Sequence, residues 1–244
     1  MTTRSALEPK DRIIIALDYP DLAPAREMAR QVGPSVGLLK VGLELFNSAG
    51  PEAIAEVRAL GAGVFYDAKL YDIPNTVAGA AAAAGRLGVS MLNVHALGGT
   101  AMMAAAKEAA ARGARERGHP TPLVIGVTIV TSLGDREVRE ELGLRESARE
   151  AALRLACLAK EAGLDGAVCS VHDVAEIKRM GGPGFVTVTP GIRPVSSERG
   201  DQSRVATPAQ AVEAGADYLV IGRPVTRAAD PRRAVAEILT EMAR

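Results

Sequence analysis

The regular alternation of short β-rich runs with longer segments of helical pattern is the feature that most constrains the fold of this sequence. The β-rich runs cover residues 13–17, 38–41, 64–68, 90–94, 123–130, 167–169, 186–188 and 218–221. A segment with helical character separates each run from the next. Strict alternation of this kind predicts a parallel sheet, because a parallel strand is reached only through a long crossover connection.

Residues that start and stop helices support this division. The predicted openers are Asp21, Pro51, Pro74, Pro208 and Asp230-Pro231. The predicted closers are Gly33, Gly61, Gly88, Gly113, Gly163 and Gly215. Proline suits the first turn of a helix because its missing N–H has no intrahelical acceptor there, and glycine suits the residue after a helix because it tolerates positive φ.

Eight such units in 244 residues predict one (β/α)8 barrel domain over residues 1–244, with residues 1–10 as a loosely held N-terminal segment. An open doubly wound sheet would normally carry a Gly-x-Gly-x-x-Gly turn after its first strand. The chain reads Leu17-Asp18-Tyr19-Pro20 at that point. Several β-rich runs are apolar on both faces, as expected for strands between covering helices and a packed barrel interior.

The charge balance argues against nucleic acid as a partner. The 29 basic and 29 acidic residues cancel, so the chain has no net field to attract a polyanion or a membrane surface. No apolar run approaches the roughly 20 residues that span a bilayer, and the first residues are polar, unlike a signal peptide. We therefore expect a cytoplasmic protein with no membrane association.

Cysteine and histidine patterns predict neither a disulfide framework nor a metal site. The two cysteines, Cys157 and Cys169, fall in a helical and a strand pattern and are expected to fill the core. The three histidines, at positions 95, 119 and 172, lie far apart without paired helical spacing. His95 is interpreted as structural, and His172 is expected in a loop or helix cap. No metal or other cofactor is predicted.

Charged residues cluster where the third predicted strand ends. The active site of such a barrel is built at the carboxyl ends of its strands. Strand alternation would put Phe65, Asp67 and Lys69 on one face, and Asp18 and Lys40 end or occupy the first two strands. Because an unpaired buried ion is costly, we predict that the four charged side chains form one alternating network. Asp72, next along, is open to interpretation as a cap of the following helix.

A second cluster follows strands seven and eight, where this fold most often binds phosphate. Arg193 lies two residues after Gly191 and Arg223 directly follows Gly222, and a guanidinium can bind phosphate oxygens with two hydrogen bonds. Gly222 allows close backbone approach. The polar loop 191–204, which contains Arg193, is long for a barrel and could close over a ligand. The pattern predicts a phosphate-bearing ligand.

Several motifs, in order along the whole chain, resemble those of the orotidine 5′-phosphate decarboxylase family. The central one is Asp67-x-Lys69-x-x-Asp72-Ile73-Pro74-Asn75-Thr76. The others are Ala16-Leu17-Asp18, Lys40-Val41-Gly42, Val130-Thr131-Ser132-Leu133, Thr189-Pro190-Gly191-Ile192-Arg193-Pro194, Gly200-Asp201-Gln202 and Ile221-Gly222-Arg223-Pro224. The resemblance implies conversion of orotidine 5′-phosphate to UMP and CO₂, the last step of pyrimidine synthesis, in a homodimer that needs no cofactor.

The resemblance also implies a role for each matched residue. Lys69 resembles the proton donor and Asp67 the carboxylate beside the leaving CO₂, whereas Asp18 and Lys40 resemble ribose contacts, with Lys40 also in the charged network. Asp72 and Thr76 resemble residues lent by the neighbouring subunit. The remaining matched substrate-binding positions are Ile73, Pro190, the pyrimidine-contacting pair Thr131 and Ser132, and the phosphate contacts Arg193, Gln202, Gly222 and Arg223.

Two alternatives remain open at this stage. Magnesium-dependent sugar-phosphate enzymes of the same superfamily, which form enediolates, share an Asp-x-Lys-x-x-Asp stretch. They tend to carry a glutamate metal ligand where this chain has Lys40, and they lack the Ile-Pro-Asn-Thr continuation. A non-catalytic nucleotide-binding barrel would keep Arg193 and Arg223 but is expected to have lost Lys69 or Asp67.

Overall fold

The computed structural model describes residues 7–195 and 205–243, which form a closed barrel of eight parallel strands. Each strand pairs with the next in sequence, and the last pairs with the first. The strands are β1 (Ile13–Ala16), β2 (Leu38–Val41), β3 (Gly63–Leu70), β4 (Met91–His95), β5 (Leu123–Val127), β6 (Gly166–Val168), β7 (Val186–Thr189) and β8 (Tyr218–Ile221). The predicted (β/α)8 barrel is confirmed.

Helices cover the outside of this barrel. They are α1 (Leu22–Val32), α2 (Leu43–Ala49), α3 (Pro51–Ala59), α4 (Pro74–Arg86), α5 (Gly99–Glu116), α6 (Ala148–Glu161), α7 (Val171–Gly181), α8 (Pro208–Glu213), α9 (Arg223–Thr226) and α10 (Pro231–Met242). Among the helices of the described ranges, none is both long and apolar enough to cross a membrane.

Strand alternation divides the buried residues into two cores. Ile14, Leu38, Phe65 and Met91 lie in the barrel interior with residues from the other strands. Their strand neighbours, such as Ile13 and residues 15, 39, 64 and 92, belong to the larger core between barrel and helices. A strand that is buried on both faces is apolar at most positions, which explains the nearly continuous apolar runs of the sequence.

The fifth strand is shorter than predicted. It ends at Val127, whereas the sequence pattern continues to Val130. Ile129 and Val130 instead line a cavity at the carboxyl end of the barrel. Their apolar character reflects that lining position and not a continued strand.

The prolines that were predicted to open helices do so at Pro51, Pro74, Pro208 and Pro231. The prediction that Gly113 closes a helix is wrong, since α5 continues to Glu116. A Cβ atom on Gly113 would lie only 2.1 Å from the carbonyl oxygen of Ala82 on α4. This glycine is required by close packing of two helices.

At the amino-terminal end of the barrel, the chain packs against the interior core. Leu7 contacts that core, and Pro9–Arg12 forms a single 3-10 turn before β1.

Both cysteines are free. Cys169 is buried and Cys157 is partly buried, and the Cys157 sulfur lies 3.7 Å from the sulfur of Met180.

Candidate active site

The four charged side chains predicted to form a network do so at the carboxyl end of the barrel. Lys40 lies two residues beyond the interior residue Leu38, and Asp67 lies two beyond Phe65, so alternation directs both inward. The Lys40 ammonium is 2.9 Å from Asp18 Oδ1 and 3.2 Å from Asp67 Oδ2. Lys69 Nζ is 2.7 Å from Asp67 Oδ1. Charges therefore alternate along the series.

Burial and ion pairing shift the pKa values of Lys40 and Asp67 in opposite directions. Burial lowers the pKa of Lys40, but attraction to Asp67 and Asp18 outweighs it, and the net pKa lies above the ordinary value. Burial raises the pKa of Asp67, but Lys40 and Lys69 lower it more, and the net pKa lies below the ordinary value. Both groups are thus held in their charged forms at neutral pH.

The Lys69 side chain reaches Asp67 through an irregular strand and not through simple alternation. Tyr66 pairs with Leu92 but Leu70 pairs with Val94, so residues 67–69 of β3 stand opposite Asn93 alone. Lys69 has a φ of 49°, which is rare for a residue with a side chain. The predicted neighbourhood of Asp67 and Lys69 is correct, but the regular strand from which it was inferred is not.

Asn93 is a residue of this site that the sequence pattern does not predict. It is 1% exposed, donates to Asp67 Oδ1 over 2.7 Å, and accepts the Lys69 N–H over 2.7 Å. One signal could have found it. Asn93 lies two residues beyond the interior residue Met91, as Asp67 does beyond Phe65.

His95 and His172 are not members of this charged network. The His95 ring centroid is 5.6 Å from that of Tyr71. Burial and then the charge of Lys69 lower the pKa of His95, which favours a neutral imidazole. His172 lies in the first turn of α7, where its N–H reaches Ser170 Oγ over 3.4 Å.

The arginine pair lines the same cavity as the charged network. The cavity has a volume of about 690 Å³, within the range of small-molecule sites. Arg193 follows β7, Gly222 directly follows β8, and Arg223 is the first residue of α9. Burial, and then the neighbouring charge of Arg223, lowers the pKa of Arg193. Two guanidinium groups close enough to repel each other favour an anion between them.

The structure brings together only part of the predicted set. Among the predicted residues, those that line the cavity are Asp18, Lys40, Asp67, Lys69, Thr131, Pro190, Arg193, Gly222 and Arg223. Asp72, Ile73, Thr76 and Ser132 are exposed and do not line it. Gln202 lies outside the described residues.

Asp72 does not cap α4. The N-cap of that helix is Ile73, without a side-chain capping bond. The Asp72 carboxylate accepts the Ile73 N–H over 2.6 Å at an exposed position.

Across residues 7–195 and 205–243, no group of three or more His, Cys, Asp and Glu side chains is placed to hold a metal ion.

Fold and site together define an enzyme of the (β/α)8 class, with a preorganised charge network and an arginine pair facing one cavity. Residues 11–238 match the orotidine 5′-phosphate decarboxylase / HUMPS family. The chain belongs to this family.

Named relatives extend the similarity over nearly the whole chain. It is 52% identical over 233 residues to orotidine 5′-phosphate decarboxylase of Moorella thermoacetica, covering 96% of this chain and 92% of that protein. It is 51% identical over 232 residues to the Halorhodospira halophila enzyme of that name, covering 95% and 96%. The crystal structure of orotidine 5′-phosphate decarboxylase from Lactobacillus acidophilus is similar with a TM-score of 0.84 and 37% identity, covering 95% and 99%.

Proposed function

We propose that this protein converts orotidine 5′-phosphate to UMP and CO₂ by electrostatic stabilisation of a carbanion at C6 of the pyrimidine. Family membership and full-length relatives of about 50% identity support the decarboxylase activity. The observation that carries the mechanism is the network Asp18–Lys40–Asp67–Lys69 facing the cavity that Arg193 and Arg223 also line.

The chemistry explains why ammonium groups are needed at this site. Loss of CO₂ leaves an electron pair in the plane of the ring, where no adjacent π system can spread it and no cofactor acts as an electron sink. A fixed positive charge next to C6 stabilises that pair in the transition state. The C–C electron pair stays on C6 as the carboxylate leaves as CO₂, and C6 then takes a proton from the Lys69 ammonium; the resulting Lys69 amine takes up a proton from solvent before the next turnover.

Pairing with Asp67 holds the Lys69 ammonium in position before substrate arrives. Asp67 is itself tied to Lys40 on its other oxygen, so its carboxylate has little freedom to turn. Because these dipoles and charges are already oriented, little reorganisation is needed when charge develops at C6. Asp67 also lies beside the site proposed for the substrate carboxylate, where its charge would favour departure of CO₂.

Binding of the phosphate supports a reaction that takes place elsewhere on the substrate. We assign the phosphate to Arg193, Gly222 and Arg223, with Gln202 as a further contact from the loop. The ribose is assigned to Asp18 and Lys40. Energy from this remote group can be used to close the site and assemble the charged network around C6.

The pyrimidine is assigned to Thr131, Ser132 and Pro190. Thr131 and Pro190 line the cavity, but Ser132 is exposed and reaches the base only if its loop moves on binding. We expect this loop to adjust when substrate is present.

A homodimer with shared sites accounts for the exposed part of the central motif. Asp72, Ile73 and Thr76 do not line the cavity of their own chain, and Ile73 is 68% exposed. The adjacent Tyr71 is 62% exposed. Large apolar side chains next to functional residues at such exposure are typical of an interface. We infer that the segment from Asp72 to Thr76 completes the active site of the neighbouring subunit.

We also infer that the enzyme acts in the cytoplasm.

The enediolate alternative is weakened by Lys40. An ammonium held between Asp18 and Asp67 occupies the position where a glutamate metal ligand would be expected, and its raised pKa keeps it charged. The non-catalytic alternative is weakened because Lys69 and Asp67 are both present and paired.

The experiment that tests the proposal follows conversion of orotidine 5′-phosphate by its ultraviolet change, with and without prior dialysis against a chelator. We expect UMP formation that survives the chelator, because Lys40 and Lys69 supply the positive charge. Lys69→Ala protein purified in parallel measures any contaminating host enzyme. Absence of conversion contradicts the assignment, and loss that magnesium restores favours the enediolate alternative.

A further inference from the structure

Asn93 bridges two residues that the proposed reaction depends on. Asn93 lies on β4, and its residue is 1% exposed next to Asp67 of the charged network. Nδ2 donates to Asp67 Oδ1 and Oδ1 accepts the backbone N–H of Lys69, each over 2.7 Å. One carboxamide thus contacts the side chain of Asp67 and the main chain of Lys69.

The chemistry of the two partners fixes the orientation of this amide. An ionised carboxylate can only accept a hydrogen bond, and a backbone N–H can only donate one. The lowered pKa of Asp67 keeps it ionised. Turning the amide over would break both bonds at once, so only one orientation satisfies the site.

The bond to Lys69 replaces a missing bond of the sheet. Between Tyr66 and Leu70 the pairing of β3 with β4 shifts, and residues 67–69 face Asn93 alone. Lys69 adopts a φ of 49° within this irregular stretch. A backbone N–H in the barrel wall needs an acceptor, and the Asn93 side chain provides it.

We propose that Asn93 is a positioning residue for the decarboxylation, which sets the relative placement of the Asp67 carboxylate and the Lys69 ammonium. Losing it frees the backbone at Lys69 to relax from its left-handed conformation and lets the Asp67 carboxylate turn. Both changes move the ammonium away from C6. The inference rests on the proposed function of Lys69 and Asp67.

The first test compares Asn93→Ala with a matched control. We expect kcat for orotidine 5′-phosphate to fall about 100-fold, the size of effect that a small misplacement of a reacting group produces. KM and the affinity for UMP should change little, because the phosphate contacts are untouched. The control is Thr187→Val, which removes a fully buried hydroxyl away from the cavity. That hydroxyl donates a hydrogen bond to the Asp217 carboxylate and accepts one from the Asp217 backbone N–H. It should lower the melting temperature without changing kcat.

The second test uses Asn93→Asp, which keeps the shape of the side chain and its acceptor for Lys69. At high pH its carboxylate faces that of Asp67, and the donor is lost. Burial and this like charge raise the pKa of the new carboxyl, and as pH falls it takes up a proton and can donate again. Lys40, Lys69, Asp18 and His95 also carry charge or titrate at this end of the barrel, but they are common to both proteins. We therefore expect the ratio of variant kcat to wild-type kcat to rise as pH falls.

Each outcome decides between support and rejection. Unchanged kcat in Asn93→Ala, or a kcat ratio for Asn93→Asp that does not vary with pH, rejects a positioning role. Parallel losses of stability and of UMP binding, as large as the loss of kcat, show a structural role only. If Asn93→Ala does not fold, the isosteric aspartate variant decides alone. A wild type that converts no orotidine 5′-phosphate rejects the proposed function, and this inference with it, whereas an active wild type with equally active variants rejects this inference only.

Discussion

At the scale of single residues, the candidate active site arranges opposite charges in a series whose total is zero. Lys40 lies between Asp18 and Asp67, and Asp67 lies between Lys40 and Lys69. Lys40 and Asp67 form the buried pair of this series, and removing one of them leaves an uncompensated ion, which typically costs about 3 to 5 kcal/mol. The Asp18 and Lys69 side chains are 55% and 36% exposed, so water screens their pairs and removing either one costs less. The four residues therefore act together, and substitutions among them should not be additive.

Arg223→Ala tests the assignment of the phosphate. We expect KM for orotidine 5′-phosphate to rise and kcat to fall as well, because the phosphate contact also drives closure of the site. Arg223→Lys should lie between alanine and wild type, since it keeps the charge but not the two-bond grip. Steady-state kinetics of the three proteins are the measurement. An unchanged KM and kcat in the alanine variant would show that the phosphate lies elsewhere.

The charged residues of the site could be predicted from sequence, but Asn93 was not. Lys40, Asp67 and Lys69 stand out because charge at an apolar strand end requires an explanation, and the fold places all strand ends together. A neutral amide gives no such signal. Its importance depends on the shifted pairing of β3 with β4, which arises from contacts 26 and 24 residues apart in the chain.

At the scale of elements, α4 and α5 pack with their backbones in close approach. Cβ atoms on Gly85 and Gly113 would lie 2.3 Å and 2.1 Å from carbonyl oxygens of the opposite helix. A glycine that ends a helix and one that fits a tight crossing look alike in sequence, so the pattern predicts a helix stop at Gly113. Only the position of the second helix distinguishes them.

Gly113→Ala should therefore destabilise the protein despite the better helix propensity of alanine. The new methyl group meets main-chain atoms of Ala82, which move only if the two helices separate. Overpacking of this kind typically costs about 1 to 3 kcal/mol, and we expect the melting temperature to fall by several degrees. The control is Arg112→Ala, an exposed position one residue earlier on α5, which should change stability by less than about 0.5 kcal/mol. Equal melting temperatures for the two variants would contradict the packing account.

At the scale of the whole molecule, the proposed shared active site would explain why the central motif divides in two. Its first part, Asp67 and Lys69, faces the cavity of its own barrel, and its second part, from Asp72 to Thr76, is exposed on the outside. In a twofold dimer each subunit would lend the second part to its partner, and the two sites would be equivalent. Sequence periodicity does not predict this division of the motif, because it does not show which residues of the segment lie beyond the end of the barrel.

Mixing inactive variants tests the shared site. Lys69→Ala and Asp72→Ala proteins, each nearly inactive, are unfolded and refolded together so that subunits exchange. If Asp72 acts in the partner's site, a mixed dimer has one site with both defects and one with neither. Random pairing then returns about a quarter of wild-type activity. Recovery is read from the rate of UMP formation per active-site equivalent.

The control pair is Lys69→Ala with Asp67→Ala, two residues that contact each other within one chain. Each site in that mixed dimer keeps one defect, and no activity should return. If the Asp72 mixture also stays inactive while mixed dimers are shown to be present, Asp72 serves its own subunit and the shared-site proposal is wrong.

The central claim is that the Lys69 ammonium stabilises and protonates the C6 carbanion, and Lys69→Ala tests it most directly. The substitution leaves Arg193, Arg223 and the base contacts in place, so the affinity for UMP should be retained. The turnover of orotidine 5′-phosphate should fall by many powers of ten, because both the charge stabilisation and the proton donor are lost. Turnover near the wild-type value, in protein shown to be folded and to bind UMP, would contradict the account.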